Sequence, residues 1–152
     1  MAIIRQVKKR RSPHQTQWAA QFAVASELCK RGYEVALTMG NHPIVDLMVI
    51  SPKGKPFLVD VKGLYKRNPW PVREKKKRHD KLFYVFAFVP NDTINRFFIL
   101  SESQVNVGIR TDWDDAIQRR KAKGLSGEPG DLKGVQWNFA ERYEDCWKAL
   151  PK

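Results

Sequence analysis

Three charged side chains stand where a strand ordinarily buries Val or Ile. In the stretch PIVDLMVISPKGKPFLVDVKG, residues 43–63, they are Asp46, Asp60 and Lys62. The apolar runs 44–50 and 56–61 flank the turn SPKGK and predict a hairpin. Side chains alternate along a strand, so Leu58, Asp60 and Lys62 share one face and Phe57, Val59 and Val61 the other. Asp46 shares its face with Ile44 and Met48. A hairpin folded around Lys53-Gly54 pairs residues whose numbers sum to about 107, which sets Asp46 opposite Val61, between Asp60 and Lys62.

Two close carboxylates repel each other unless a cation neutralises them. Carboxylate, carbonyl and water oxygens suit Mg²⁺ or Mn²⁺. A lysine beside them would orient a water and stabilise charge building on a phosphate. Together these are the parts needed for metal-assisted phosphodiester hydrolysis. The other reading of the same residues is an Asp–Lys ion pair on a solvated hairpin face.

Other elements must position this trio. Ser12-Pro13 predicts a helix start, and Gly32 stops the helix just after Arg31. Trp18, Phe22, Ala25 and Leu28 form its expected apolar stripe, and Gln21 falls inside that stripe. A buried amide needs a partner. Gln21 is either a satisfied core amide or is aimed at the carboxylate pair, whereas Glu27 lies outside the stripe. Strands are also expected over 33–37, 82–89 and 96–100, the last two forming a hairpin through PNDTIN. Two helices are expected after Ser101, in SESQVNVG and DWDDAIQRRKAK. GLSGEPGDLKG reads as a loop. NFAERYEDCWKAL predicts a closing amphipathic helix with Phe139, Tyr143 and either Cys146 or Trp147 on one side. The whole reads as one α+β domain over 1–152, with a basic arm at 1–12, a core at 13–100 and C-terminal helices at 101–152.

Composition narrows the partners. The net charge of +12 over 152 residues draws a small domain to polyanions. Nucleic acid is favoured over an anionic membrane surface, because no basic amphipathic helix with an exposed apolar face stands out. Cys29 and Cys146 are too far apart in sequence for a paired metal motif. With no apolar leader at the N-terminus, a cytoplasmic location is expected. Residues 62–81 carry nine Lys or Arg against two acids. Lys66, Arg67, Arg73, Lys75, Lys76, Lys77 and Arg78 are candidates for phosphate contact, and Tyr65 and Trp70 for stacking on an exposed base. The alternative is a solvated loop with Trp70 packed on the core.

These residues resemble the PD-(D/E)XK nuclease superfamily, the restriction-endonuclease-like fold. The signature stands here as PIVD, ending at Asp46, then thirteen residues, then DVK, Asp60 to Lys62. Small junction resolvases, restriction-type enzymes and bacterial members of the superfamily are similar over roughly residues 13–100. The first two of these groups carry a Glu on the first helix, upstream of a GY or GF step; counted back from RGYEV, that place falls on Gln21. The resemblance implies a central mixed sheet of four to five strands flanked by helices. It implies Asp46, Asp60 and the backbone carbonyl of Val61 as Mg²⁺ or Mn²⁺ ligands, with Lys62 positioning the attacking water and Gln21 completing the site. The activity implied is an endonuclease acting on DNA rather than RNA, with a homodimer left open. Gln21 in place of Glu removes an acidic contact. It keeps open a second reading, a nucleic-acid-binding protein that retains the fold with weak or no cleavage.

Overall fold

The computed structural model describes residues 10–39, 45–130 and 134–152. Its first element is α1, Pro13–Lys30. Ser12 Oγ accepts from the Gln15 N–H at 3.1 Å, and the Gln15 side chain accepts from the Ser12 N–H at 3.0 Å. This reciprocal cap satisfies two donors that a helix start leaves orphaned. Gly32, at φ +84°, turns the chain out of the helix.

Five strands form the main sheet: β1 (Glu34–Leu37), β2 (Leu47–Ile50), β3 (Pro56–Leu64), β5 (Leu82–Phe88) and β6 (Arg96–Ser101). They lie in the order β1-β2-β3-β5-β6. All neighbours are antiparallel except β3 and β5, which run parallel from Leu58↔Leu82 to Leu64↔Phe88. The central mixed sheet with helical flanks is thus present. The sheet is mostly antiparallel, as the hairpin signals suggest, but it is not a simple meander, because the β2–β3 and β5–β6 hairpins are joined through a parallel pair. A parallel pair needs a crossover, usually helical. Here residues 65–81 make that crossing with only a two-residue strand, β4 (Trp70–Pro71), which pairs with β7 (Gly134–Val135).

The sheet separates two cores. Val24 and Leu28 of α1 pack on Val49, Val59, Val61 and Val85. On the other face Trp70, Phe86, Phe98 and Trp137 pack beneath α2, Glu102–Ala122. The alternation predicted for β3 holds, with Phe57, Val59 and Val61 buried on the α1 side. Each such large side chain stabilises the fold by about 1.5–3 kcal/mol when removed from water.

Three expectations are corrected. The buried stripe of α1 is Thr16, Ala20, Gln21, Val24 and Leu28; Phe22 is 56% exposed and stacks on Trp18 with ring centroids 5.4 Å apart. Gly63 gives the reason. A Cβ there would lie 2.7 Å from the Ala20 Cβ, so α1 comes too close to β3 for a Trp or Phe between them. The two helices expected after Ser101 are one continuous helix. It passes Gly108, where a Cβ would meet the Phe139 ring at 2.8 Å. The closing helix is broken into α3 (Trp137–Ala140) and two 3₁₀ turns, Glu141–Tyr143 and Trp147–Ala149. Asp145 takes φ +51° and donates its N–H to Phe97 O at 2.9 Å, so this backbone bonds to β6 instead of to itself.

Candidate functional site

The site forms where β2 and β3 part. Their ladder ends at Leu47↔Val59, one residue short of the predicted register. Asp46 is therefore level with Asp60 rather than Val61, although its N–H still donates to Val59 O at 3.1 Å. Thr38 receives the other side of Asp46, its N–H donating to Asp46 O at 3.0 Å and its hydroxyl to Val45 O at 2.9 Å.

Beyond Val59, β3 keeps β5 on one edge and, among the described residues, has no strand on the other. Buried backbone groups need partners, and side chains supply them. Asp46 Oδ2 accepts from the Val61 N–H at 2.8 Å. Gln17 Nε2 donates to Val61 O at 2.8 Å, and Gln17 Oε1 accepts from the Gly63 N–H at 3.3 Å. One amide thus stands in for a strand across two peptide groups. Gln21, one helical turn further on, donates Nε2 to Asp46 Oδ1 at 2.8 Å. Gln21 is buried, and its Oε1 has no hydrogen-bond partner among the described residues. Of the two carboxylates, Gln21 meets Asp46, whereas Asp60 is met by Lys62 and Lys75. Gln17 was missed, and the signal for it was a second amide four residues before the first on the same helix.

Asp60 is treated differently. Its side chain is 4% exposed and lies between two ammonium groups. Lys75 Nζ bonds Oδ2 at 3.0 Å. Lys62 Nζ lies 2.6 Å from Oδ1, off the line that a hydrogen bond prefers. Lys75 also sits 5.8 Å above the ring of Tyr84, which is buried. Burial, then the charges of Asp60 and Glu102, hold the Tyr84 phenol well above its ordinary value. Glu102, buried in the first turn of α2, accepts the His79 N–H at 2.7 Å and so pins the end of the crossover.

Burial raises the Asp46 carboxyl above the ordinary range. The Val61 N–H opposes this, Asp60 adds to it, and Lys62 and Lys75 pull back. Two carboxylates and two lysines therefore share one electrostatic neighbourhood. Among the described residues no group of three or more His, Cys, Asp and Glu side chains converges. A divalent cation would rest on Asp46, Asp60 and the Val61 carbonyl, an all-oxygen set that suits Mg²⁺ or Mn²⁺. The amides and ammonium groups now on those oxygens would have to yield.

The basic segment divides into pinned and open parts. Trp70 is fully buried, stacked on Phe86 and 4.5 Å from the Trp137 ring, so it has no face for a base; its expected stacking role is corrected. Lys75 is turned inward to Asp60. Arg67 pairs with Glu141 at 2.9 Å and covers the Trp137 ring at 4.3 Å. Lys66, Arg73, Lys76, Lys77 and Arg78 are exposed. Tyr65 is half-buried, with Arg11 and Lys66 over its ring at 5.3 and 5.5 Å. The part of the basic arm before Arg10 lies outside the described residues. No described helix is long and apolar enough to cross a membrane. No protein-family model, characterised protein or solved structure matches the chain.

Proposed function

We propose that this chain is a nucleic-acid-binding protein of restriction-endonuclease-like build, in which the carboxylate site is held by the protein's own amides and lysines and cleavage is weak or absent. The supporting observation is how Asp46 and Asp60 are held: Gln17, Gln21, Lys62 and Lys75 occupy their oxygens. The nuclease kinship rests on the spacing of Asp46, Asp60 and Lys62 and on the general α/β build. The exposed cations of the crossover supply phosphate contacts, which give affinity without sequence readout. DNA is the polyanion favoured. With Trp70 buried, half-buried Tyr65 and the stack of half-buried Trp18 on exposed Phe22 offer rings to an unpaired base.

The second reading is a Mg²⁺- or Mn²⁺-dependent endonuclease. It is favoured by the raised Asp46 carboxyl and its repulsion from Asp60, which a divalent cation would relieve. When bound, the metal would supply Lewis-acid activation of water and phosphate. The chain's own part would be Lys62 orienting water at Asp60, and Gln21 holding Asp46 in place.

One experiment separates the two. Binding and cleavage of labelled single-stranded, duplex and branched DNA are measured with Mg²⁺ or Mn²⁺, for the wild type and Asp60→Asn. Tight binding by both proteins without cutting supports the binding protein. Cutting by the wild type alone establishes the endonuclease. Absence of binding to any of the three overturns both.

A further inference from the structure

The two faces of the sheet are unequally covered. α1 lies across the β1–β3–β5 side of one face, whereas on the other face α2 packs against β5 and β6. The remaining half of that second face, over β1, β2 and β3, is an open apolar depression of about 590 Å³. Ala36, Met48 and Leu58 form one row across it by direct strand pairing. Ile50 stands in the next row. Met48 is 53% and Ile50 43% exposed. A strand face carrying Met and Ile in water is unusual where polar residues would serve as well.

We propose that this open half-sheet is where a second copy of the chain docks, face to face, about a two-fold axis running along the strands. The charges at its margins single out this occupant. Glu34 stands on the outer strand, level with Ile50 and Pro56. Lys81 borders the opposite side, one residue before the Leu58↔Leu82 pair and so level with Phe57. The two charges are thus at nearly the same height on opposite sides of the patch. A two-fold axis along the strands reverses left and right but keeps height. It lays Glu34 of each copy on Lys81 of the other, twice, with the Met48 rows meeting between them. Such self-complementarity is what an isologous interface requires. The apolar centre spans three strands and alone is well short of the roughly 800 Å² per partner of a standard interface. The dimer is therefore reversible, with dissociation in the micromolar range, about 1–100 µM.

Sedimentation velocity of the full chain, from about 1 to 300 µM, tests this. The expected result is a concentration-dependent monomer–dimer exchange. Met48→Asp should weaken it by about tenfold or more while leaving the thermal melt in place, since this side chain already faces water. Glu34→Lys should weaken association by setting like charges together, and Glu34→Lys combined with Lys81→Glu should restore it. A monomer at every concentration, a dimer indifferent to Met48→Asp, or failure of the double exchange to rescue would each overturn the proposal. Nucleic-acid affinity is read separately, and its phosphate contacts weaken as salt is added.

Discussion

Asp46, just before β2, lies level with Asp60 on β3, yet the protein holds the two by opposite means. Asp46 is on the helix side, where neutral donors meet it: Gln21, the Val61 N–H and, at 3.4 Å, Gln17. Asp60 is on the crossover side, where Lys62 and Lys75 meet it. Burial is the largest influence on Asp46 and pushes its carboxyl up. The difference teaches that burial among neutral donors makes charge on Asp46 costly, whereas Asp60 is buried with two ammonium groups beside it. A ligand that brings positive charge would help Asp46 and compete with the lysines at Asp60.

The comparison can be broken at its base. Gly63→Ala sets a Cβ against Ala20 and 3.0 Å from the Thr16 carbonyl oxygen, so α1 must move off β3. We expect a loss of about 1–3 kcal/mol by denaturant melting, the usual cost of overpacking. Loosening of the amide wall should accompany it, while the Lys75 contact stays. Next in size is Gln17→Ala, which strips partners from the Val61 carbonyl and the Gly63 N–H. The expected loss is about 1–2 kcal/mol by the same melt. An unchanged melting curve would mean that water replaces the amide without cost.

The sharper test compares the two neutralising substitutions. Asp60→Asn leaves Lys62 and Lys75 facing each other without an anion and should lower the melting temperature at neutral pH. Asp46→Asn should raise it. The sign follows from linkage. The Asp46 carboxyl is raised in the folded state, so that state binds the proton more tightly than the unfolded chain does. The charged form therefore costs stability above the raised value. That cost disappears as pH falls toward the unfolded value of about 3.9. The advantage of Asp46→Asn should be present at neutral pH and vanish in acid; an advantage that persists in acid would refute burial of charge as its cause. The smallest effect is expected at Glu27→Gln. Glu27 pairs with Lys30 and Arg31 on the solvent side of α1, and its loss should move stability by about 0.5 kcal/mol or less.

Much of this arrangement was written in local patterns. The cap at Ser12, the stop at Gly32, the β2–β3 hairpin and the grouping of Leu58, Asp60 and Lys62 all follow from residue type and alternation. What escaped depends on contacts between distant residues. The face that α1 buries is set by Gly63 on a strand more than thirty residues away, so Trp18 and Phe22 read as core, yet Trp18 is half-buried and Phe22 stands in water. Lys75 looks like one more solvated cation in a basic run. Only the crossover, fixed by Trp70 and Glu102, turns it onto Asp60. The parallel pairing of β3 with β5 was likewise invisible to hairpin signals, and the resemblance supplied the mixed sheet that they lacked. The register missed by one residue because the turn geometry, not the apolar pattern, sets where the ladder begins.

The crossover without a helix also bears on how the chain reaches this form. Leu47 and Val59 pair across 12 residues, whereas Leu58 and Leu82 pair across 24. Closing the shorter loop forfeits less chain freedom, so the hairpin that brings the two carboxylates together should zip before the parallel strand arrives with Lys75 behind it. During that interval the carboxylates confront each other with Lys62 as their nearest ammonium. Pulsed amide labelling during refolding should then find β2 protected ahead of β5.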